Sequence, residues 1–112
     1  MTWARLDDSF HSHPKTIRAW HRSPEAVGLY VRALSWIADH NQDGHIPDET
    51  VVMWMPSQRD REKALKVLVE VGFVRKNGAG WVINDYLAYN PSKEDVEARR
   101  KADRQRKRGD PL

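Results

Sequence analysis

The alternation of apolar and polar positions along the chain predicts several short helices followed by a hairpin. Apolar residues recur on nearly all sides of the segment that starts at Ser23-Pro24-Glu25 and ends near Asn41, so we expect it to be the central buried helix. A serine, a proline and an acid suit a helix N-terminus. A shorter helical pattern precedes it, from Ser12-His13-Pro14 to Trp20, with proline in the first turn.

Three further elements follow the central helix. Asp43-Gly44 predicts a turn, and Ile46 predicts a very short strand that Pro47 ends. Acids open a short helix over residues 48–54, which Met55-Pro56 stops because the residue before proline avoids helical angles. Ser57 then caps a helix that runs to about Val71, with Gly72 as its left-handed end.

The next segment predicts a β-hairpin. Residues 73–76 and 81–84 are rich in strand formers, and Asn77-Gly78-Ala79-Gly80 between them predicts a tight turn. Helix, minimal strand, short helix, second helix and hairpin are the order of a winged helix. The expected fold class is therefore α+β and mostly helical: a winged helix-turn-helix with a short N-terminal helix and a basic C-terminal helix. We expect a winged-helix domain over residues 1–90 and a basic helix or tail over 91–112.

Composition limits the chemistry of this chain of 112 residues. Its length suits one domain, and five tryptophans offer ample apolar surface. The absence of cysteine excludes disulfides, thiolate metal sites and a cysteine nucleophile. Neither a membrane span nor a signal peptide is expected, so we expect the chain to be cytoplasmic. Acids and bases balance up to Asn90, and the net charge of +3 therefore arises in residues 91–112. A neutral body with a basic end is typical of a protein with a polyanion partner, and the charge alone fits a solvated tail equally well.

The helix after Ser57 has the pattern of a DNA-reading helix. Ala64 and Leu68 mark its apolar face, while Arg59, Lys63 and Lys66 are spaced to share the opposite face. Arginine can bind guanine, glutamine can bind adenine, and lysine can reach phosphate. The alternative is a salt-bridged solvent face, because acids are interspersed. The residues predicted to contact DNA on the helix, the hairpin and the tail are Gln58, Arg59, Lys63, Lys66, Arg75, Lys76, Asn77, Arg99, Arg100, Arg104, Arg106, Lys107 and Arg108.

The sequence gives little support for a metal site or for a catalytic site. DHNQDGHIPDET resembles a calcium-binding loop, but Thr50 occupies the twelfth position, where calcium needs a bidentate glutamate. The turn interpretation is therefore favoured. The histidines lack a third zinc ligand at motif spacing and are expected to cap helices or lie on the surface. No nucleophile or phosphate-loop motif occurs, so we expect no enzyme, no cofactor and no small-molecule substrate.

A resemblance to a known family extends over nearly the whole chain. The residues that carry it are Trp3, Leu6-Asp7-Asp8, Phe10, His13-Pro14-Lys15, Gly28-Leu29-Tyr30-Val31-Arg32-Ala33, Asp43-Gly44, Ile46-Pro47, Asp85-Tyr86-Leu87 and Tyr89-Asn90-Pro91-Ser92, followed by paired arginines. The chain resembles small actinobacterial and actinophage proteins related to the N-terminal domain of phage replication initiators, also called replisome organisers. This resemblance implies a winged-helix domain that binds DNA in phage or prophage replication. Because the chain ends at Leu112, we expect no second domain that recruits a helicase, and hence a regulator or one part of an initiation complex.

The expected partner is double-stranded DNA, with replication proteins or a second copy of the chain as further candidates. A DNA-binding protein this small would gain affinity for DNA by dimerising on two half-sites. The stripe of Arg32, Ser35 and Asp39 and the first short helix are the candidate surfaces for a dimer. Two alternatives to the replication role remain: a protein-interaction module with the same fold, or a small transcriptional regulator.

Overall fold

The computed structural model describes residues 6–40, 42–86 and 93–107 and shows an α+β, mostly helical protein. The order of elements is the predicted one. In chain order they are a 3₁₀ helix Phe10–Ser12, α1 Pro14–Arg22, α2 Pro24–His40, β1 His45–Pro47, α3 Asp48–Trp54, α4 Gln58–Val71, β2 Val74–Asn77, β3 Gly80–Ile83 and α5 Lys93–Lys107.

The first two helices begin at the predicted caps. The ring nitrogen Nδ1 of His13 accepts a hydrogen bond from the backbone N–H of Lys15 at 3.1 Å. The Ser23 hydroxyl accepts one from the N–H of Ala26 at 3.3 Å. Each cap satisfies a backbone donor that has no partner inside its helix. The capping role expected for a histidine is thus confirmed for His13.

The central position predicted for α2 is also confirmed. Ile37 on this helix is fully buried, together with Leu68 of α4 and Val51 of α3. Burying an aliphatic side chain of this size contributes about 1.5–3 kcal/mol, so the hydrophobic core that these residues share holds the three helices together. α2 packs against both α1 and α4, and its polar stripe at Gly28, Arg32, Ser35 and Asp39 faces solvent.

The segment that resembles a calcium loop forms a turn and a strand. Asp43 and Gly44 adopt positive φ angles of 51° and 91°, the left-handed region that a tight turn uses. The strand β1 follows at once and pairs antiparallel with β3, with Ile46 opposite Trp81. Thr50 is buried in the first turn of α3. The predicted turn and very short strand are therefore confirmed, and calcium binding stays untested.

Helix α4 begins and ends where the sequence predicts. The Ser57 hydroxyl accepts a hydrogen bond from the N–H of Asp60 at 3.3 Å. Gly72 has a φ of 91° and lets the chain leave the helix. The N–H of Phe73 donates back to the carbonyl of Leu68 at 2.9 Å, which is the pairing of a glycine-terminated helix.

The hairpin strands are each displaced by one residue from their prediction. Phe73 belongs to the end of α4 rather than to β2, because its N–H bonds to the helix. Asn77 instead pairs with Gly80 across the hairpin, so Gly78 and Ala79 alone form the turn. The sheet has the strand order β1-β3-β2, which makes β3 the central strand.

The last helix is almost entirely exposed. Of the side chains described in α5, only Val96 is buried. Among the described elements, α5 packs extensively against none. A helix of 15 residues is on the order of 22 Å long. The predicted domain boundary near Asn90 lies outside the described residues. Every helix within the described ranges falls short of what a membrane span requires.

Candidate nucleic-acid interface

One side of α4 carries the cations that the sequence assigns to DNA reading. Ala64, Leu65 and Leu68 are buried against the core, whereas Arg59, Lys63 and Lys66 are exposed on the opposite side. The helix period fixes this division, because residues three and four apart share a face. The predicted exposed face is confirmed as a feature of the fold; whether it binds DNA stays a prediction.

The acidic side chains on the cationic side of α4 have different partners. As a result, some cations of this side are paired with an acid and others are not. The Gln58 amide donates to the Glu62 carboxylate at 2.9 Å, so both side chains are held on the helix surface. Glu70 forms salt bridges to Arg22 at 2.6 Å and to Lys66 at 4.0 Å. Arg59, in contrast, has no salt bridge within the described residues.

Lys63 lies near an acid from another helix. The pKa of Glu25 is lowered mainly by a hydrogen bond from its own backbone N–H and by one from the Ser23 hydroxyl, and the positive charge of Lys63 lowers it further. Glu25 lies in the first turn of α2, and no salt bridge joins it to Lys63 among the described residues. The fold thus brings the charge of Lys63 near an acid of another helix, which spacing along α4 does not reveal.

Arg61 is a cation of α4 with a structural role. Its guanidinium donates to the backbone carbonyl of Met55 at 2.7 Å and to that of Pro56 at 3.4 Å. These carbonyls belong to the break between α3 and α4, where no helix satisfies them. Arg61 therefore fixes the angle between the two helices. The helical period places it on the opposite side of α4 from Arg59, which agrees with its omission from the predicted DNA contacts.

The hairpin presents its basic residues on both faces. Arg75 donates to the Asn84 side chain at 2.8 Å, and Asn84 in turn donates to the carbonyl of Gly72 at 2.9 Å. Lys76 lies over the Trp81 ring, with Nζ 4.5 Å from the ring centroid. Such a cation–π contact orients the lysine while it leaves the charge accessible. Arg75, Lys76 and Asn77 are all exposed.

The turn end of the hairpin is tied to α3. The backbone N–H of Asp48 donates to the carbonyl of Ala79 at 3.0 Å, and the Trp81 indole N–H donates to the Asp48 carboxylate at 3.1 Å. The prediction of an acid at the start of α3 is correct, but the sequence did not indicate its tryptophan partner. These bonds hold the hairpin in a fixed position relative to the helix pair.

The basic residues of α5 form a separate group. Arg99, Arg100, Arg104 and Arg106 are exposed on this helix, and Arg106 pairs with Asp103 at 2.6 Å. Lys107 is the last residue of the helix, and Arg108 lies outside the described residues. Among the described elements, α5 has no extensive contact with α4 or with the hairpin. Within the described residues the predicted site therefore consists of two surfaces, one on α4 and the hairpin and one on α5.

Other candidate chemistry has a structural explanation in each place. The His40 ring stacks on Trp36 at 4.1 Å between centroids, and His45 packs against Gly80. No group of three or more potential metal ligands occurs in the part of the chain that the structure describes. Burial raises the pKa of Tyr86, and the nearby charge of Asp43 adds to this shift.

The α1 helix contributes features that the sequence analysis did not assign to a site. Trp20 is 56% exposed and Ile17 is 42% exposed, one turn apart on the same helix. Arg22, at its end, reaches Glu70 of α4. The sequence pattern of α1 does not indicate the contact of Arg22 with Glu70, because that contact depends on how α1 and α4 cross.

Comparison of the chain with models of protein families, with curated proteins and with solved structures found no match in any of the three.

Proposed function

We propose that the chain is a winged-helix protein that binds double-stranded DNA. In this arrangement α2, α3 and α4 form the helical part, β1 joins the sheet beside β3, and the β2–β3 hairpin is the wing. The element order and the sheet order β1-β3-β2 support the assignment. The helix α4 enters the major groove, as the second helix of a helix-turn-helix does.

The observation that carries the proposal is the exposed cationic side of α4. Arg59, Lys63 and Lys66 project from a rigid helix whose other side is fixed in the core. A rigid support matters because base edges are read through hydrogen bonds of defined geometry. Arg59 is the best candidate for a base contact, since no salt bridge within the described ranges occupies it.

The hairpin and α5 supply contacts to the DNA backbone in this proposal. Arg75, Lys76 and Asn77 extend the cationic surface beyond α4. The exposed arginines of α5 add positive charge on a helix that has no extensive contact with the other described elements, so they contact phosphates and not base edges. The context is replication initiation of a phage or prophage, or its regulation, which rests on the family resemblance of the sequence. A transcriptional regulator would use the same contacts at a different site.

A protein-interaction module is the second candidate, and one observation favours it. Trp20 and Ile17 present an exposed apolar pair on α1, and exposed aromatic side chains are frequent at the centre of protein interfaces. Glu62 and Glu70 also interrupt the cations of α4. In this alternative, the same fold docks a phage or host protein.

Titration with labelled duplex DNA tests the first function against the second. Fluorescence anisotropy with mixed fragments of host and phage DNA, repeated over a series of salt concentrations, measures affinity and its salt dependence. Micromolar or tighter binding that weakens steeply with salt supports DNA binding. Absence of binding at low salt overturns it and leaves the interaction module.

A further inference from the structure

The cationic surface of α4 extends onto α1 through a shared carboxylate. One oxygen of Glu70, Oε2, lies 2.6 Å from Nη2 of Arg22, and the other, Oε1, lies 4.0 Å from Nζ of Lys66. A single carboxylate is therefore in contact with a cation from each helix. The guanidinium of Arg22 borders the surface to which Lys66 belongs, although α1 lies outside the helix pair that reads DNA in a helix-turn-helix.

This cluster is accessible to solvent. The exposed fractions of the side chains are 45% for Arg22, 43% for Glu70 and 73% for Lys66. Ion pairs at such exposure contribute only about 0–1 kcal/mol to stability, so their partners exchange readily. The three groups carry two positive charges and one negative charge, which leaves a net attraction for an anion.

The geometry of arginine suits a phosphate in particular. Its planar guanidinium can donate two parallel hydrogen bonds to one phosphate group, and it is always charged. The contact with Glu70 already orients this group at the edge of α4. When DNA approaches, a phosphate can replace the carboxylate on Arg22 with a partner of the same charge sign and similar shape.

We propose that Arg22 is a further contact to the DNA backbone, held by Glu70 beside Lys66 in the free protein and transferred to a phosphate in the complex. This inference rests on the proposed DNA binding. Glu70 then has two effects: it positions Arg22, and its negative charge weakens binding to any duplex.

The test compares substitutions of two arginines on α1. Arg22→Gln should weaken binding to random duplex DNA and make the slope of log K against log salt shallower by about 0.9, the value of one lost phosphate contact. Arg22→Lys should retain most of the salt slope. Arg18→Gln is the matched control, because Arg18 is exposed on the same helix and has no salt bridge among the described residues. Circular dichroism melting of each variant monitors the fold.

A double-mutant cycle then tests the role of Glu70. Glu70→Gln should tighten binding, and Arg22→Gln should cost more affinity in that background than in the native chain, because the competing carboxylate is gone. In a Glu62→Gln background, where the lost carboxylate bonds to Gln58, Arg22→Gln should have its native-background effect. If Arg22→Gln and Arg18→Gln change the affinity and the salt slope equally, the inference is wrong while DNA binding stands. If the native chain binds no duplex, the proposed function itself fails.

Discussion

The indole N–H of Trp81 donates a hydrogen bond to the Asp48 carboxylate at 3.1 Å and so connects the central strand of the sheet to the first residue of α3. Both side chains are half-buried. The bond fixes the hairpin relative to the helices, and in the proposed function this relation sets where the wing meets the DNA backbone. Because it joins distant parts of the chain, its removal should be visible in the stability of the whole fold.

Trp81→Phe should lower the free energy of unfolding more than the same change at Trp54. Each ring lies beneath a cation, Lys76 at 4.5 Å and Arg32 at 4.6 Å. Only the Trp81 N–H has a hydrogen-bond acceptor among the described residues. The expected difference is about 1–2 kcal/mol, the contribution of a hydrogen bond to a charged group in a half-buried site. Urea unfolding measures it, and equal losses would show that the Asp48 contact contributes nothing.

Two glycine-to-alanine substitutions should have opposite effects on stability. A Cβ at Gly80 would lie 2.5 Å from the backbone carbonyl oxygen of Ile46, so Gly80→Ala should push β1 and β3 apart and cost about 1–3 kcal/mol. A Cβ at Gly28, within α2, would meet nothing within 4 Å. Gly28→Ala should stabilise by about 0.5–1 kcal/mol, because alanine loses less backbone entropy in a helix. Thermal unfolding of both variants checks the two signs, and a stable Gly80→Ala would contradict the close pairing of β1 with β3.

Arg59→Ala should reduce discrimination between DNA sequences. If Arg59 makes a bidentate contact to guanine, its loss should cost roughly 1–3 kcal/mol on a duplex selected for tight binding and much less on a random duplex. Arg104→Ala on α5 is the control, since it removes the same charge from a helix that has no extensive contact with the other described elements. Its effect should be equal on both duplexes. If both substitutions act equally on both duplexes, Arg59 reads no bases.

Deletion of residues 99–112 should weaken binding to every duplex and flatten its salt dependence, because the tail neutralises phosphates without reading sequence. The melting temperature should stay unchanged, since residues 99–106 are exposed and the deletion retains the buried Val96. Loss of folding would show that the tail packs on the body. If the deletion removed only the preference for one DNA sequence, the tail and not α4 would be the surface that reads the sequence.

Glu25 should make stability depend on pH in the acid range. Its pKa is lowered in the folded state, chiefly by its own backbone N–H and the Ser23 hydroxyl, so the folded state favours the carboxylate. The resulting stability is fully present above the pKa of the unfolded chain and is lost as pH falls through the lowered value. Glu25→Gln should therefore flatten the decline of the melting temperature in this range. An unchanged pH profile would show that these contacts do not stabilise the ionised form.

The sequence by itself determined the local architecture. Ser23, Ser57 and Gly72 begin or end helices through bonds to backbone groups only a few residues away, so their meaning depends on spacing that the sequence displays. The exposed side of α4 follows in the same way from its helical period. The turn at Asp43-Gly44 could be predicted because few other residues tolerate its backbone angles.

Only the tertiary structure decided which distant side chains meet. The contact of Arg22 with Glu70 depends on the crossing of α1 and α4, and that of Trp81 with Asp48 depends on the pairing of β3 with β1. The hairpin strands are displaced by one residue for a related reason: the N–H of Phe73 has two possible partners, and the end of α4 takes it. Spacing along a chain specifies which groups share an element. It does not specify which elements face one another, because the packing of the whole core sets that geometry.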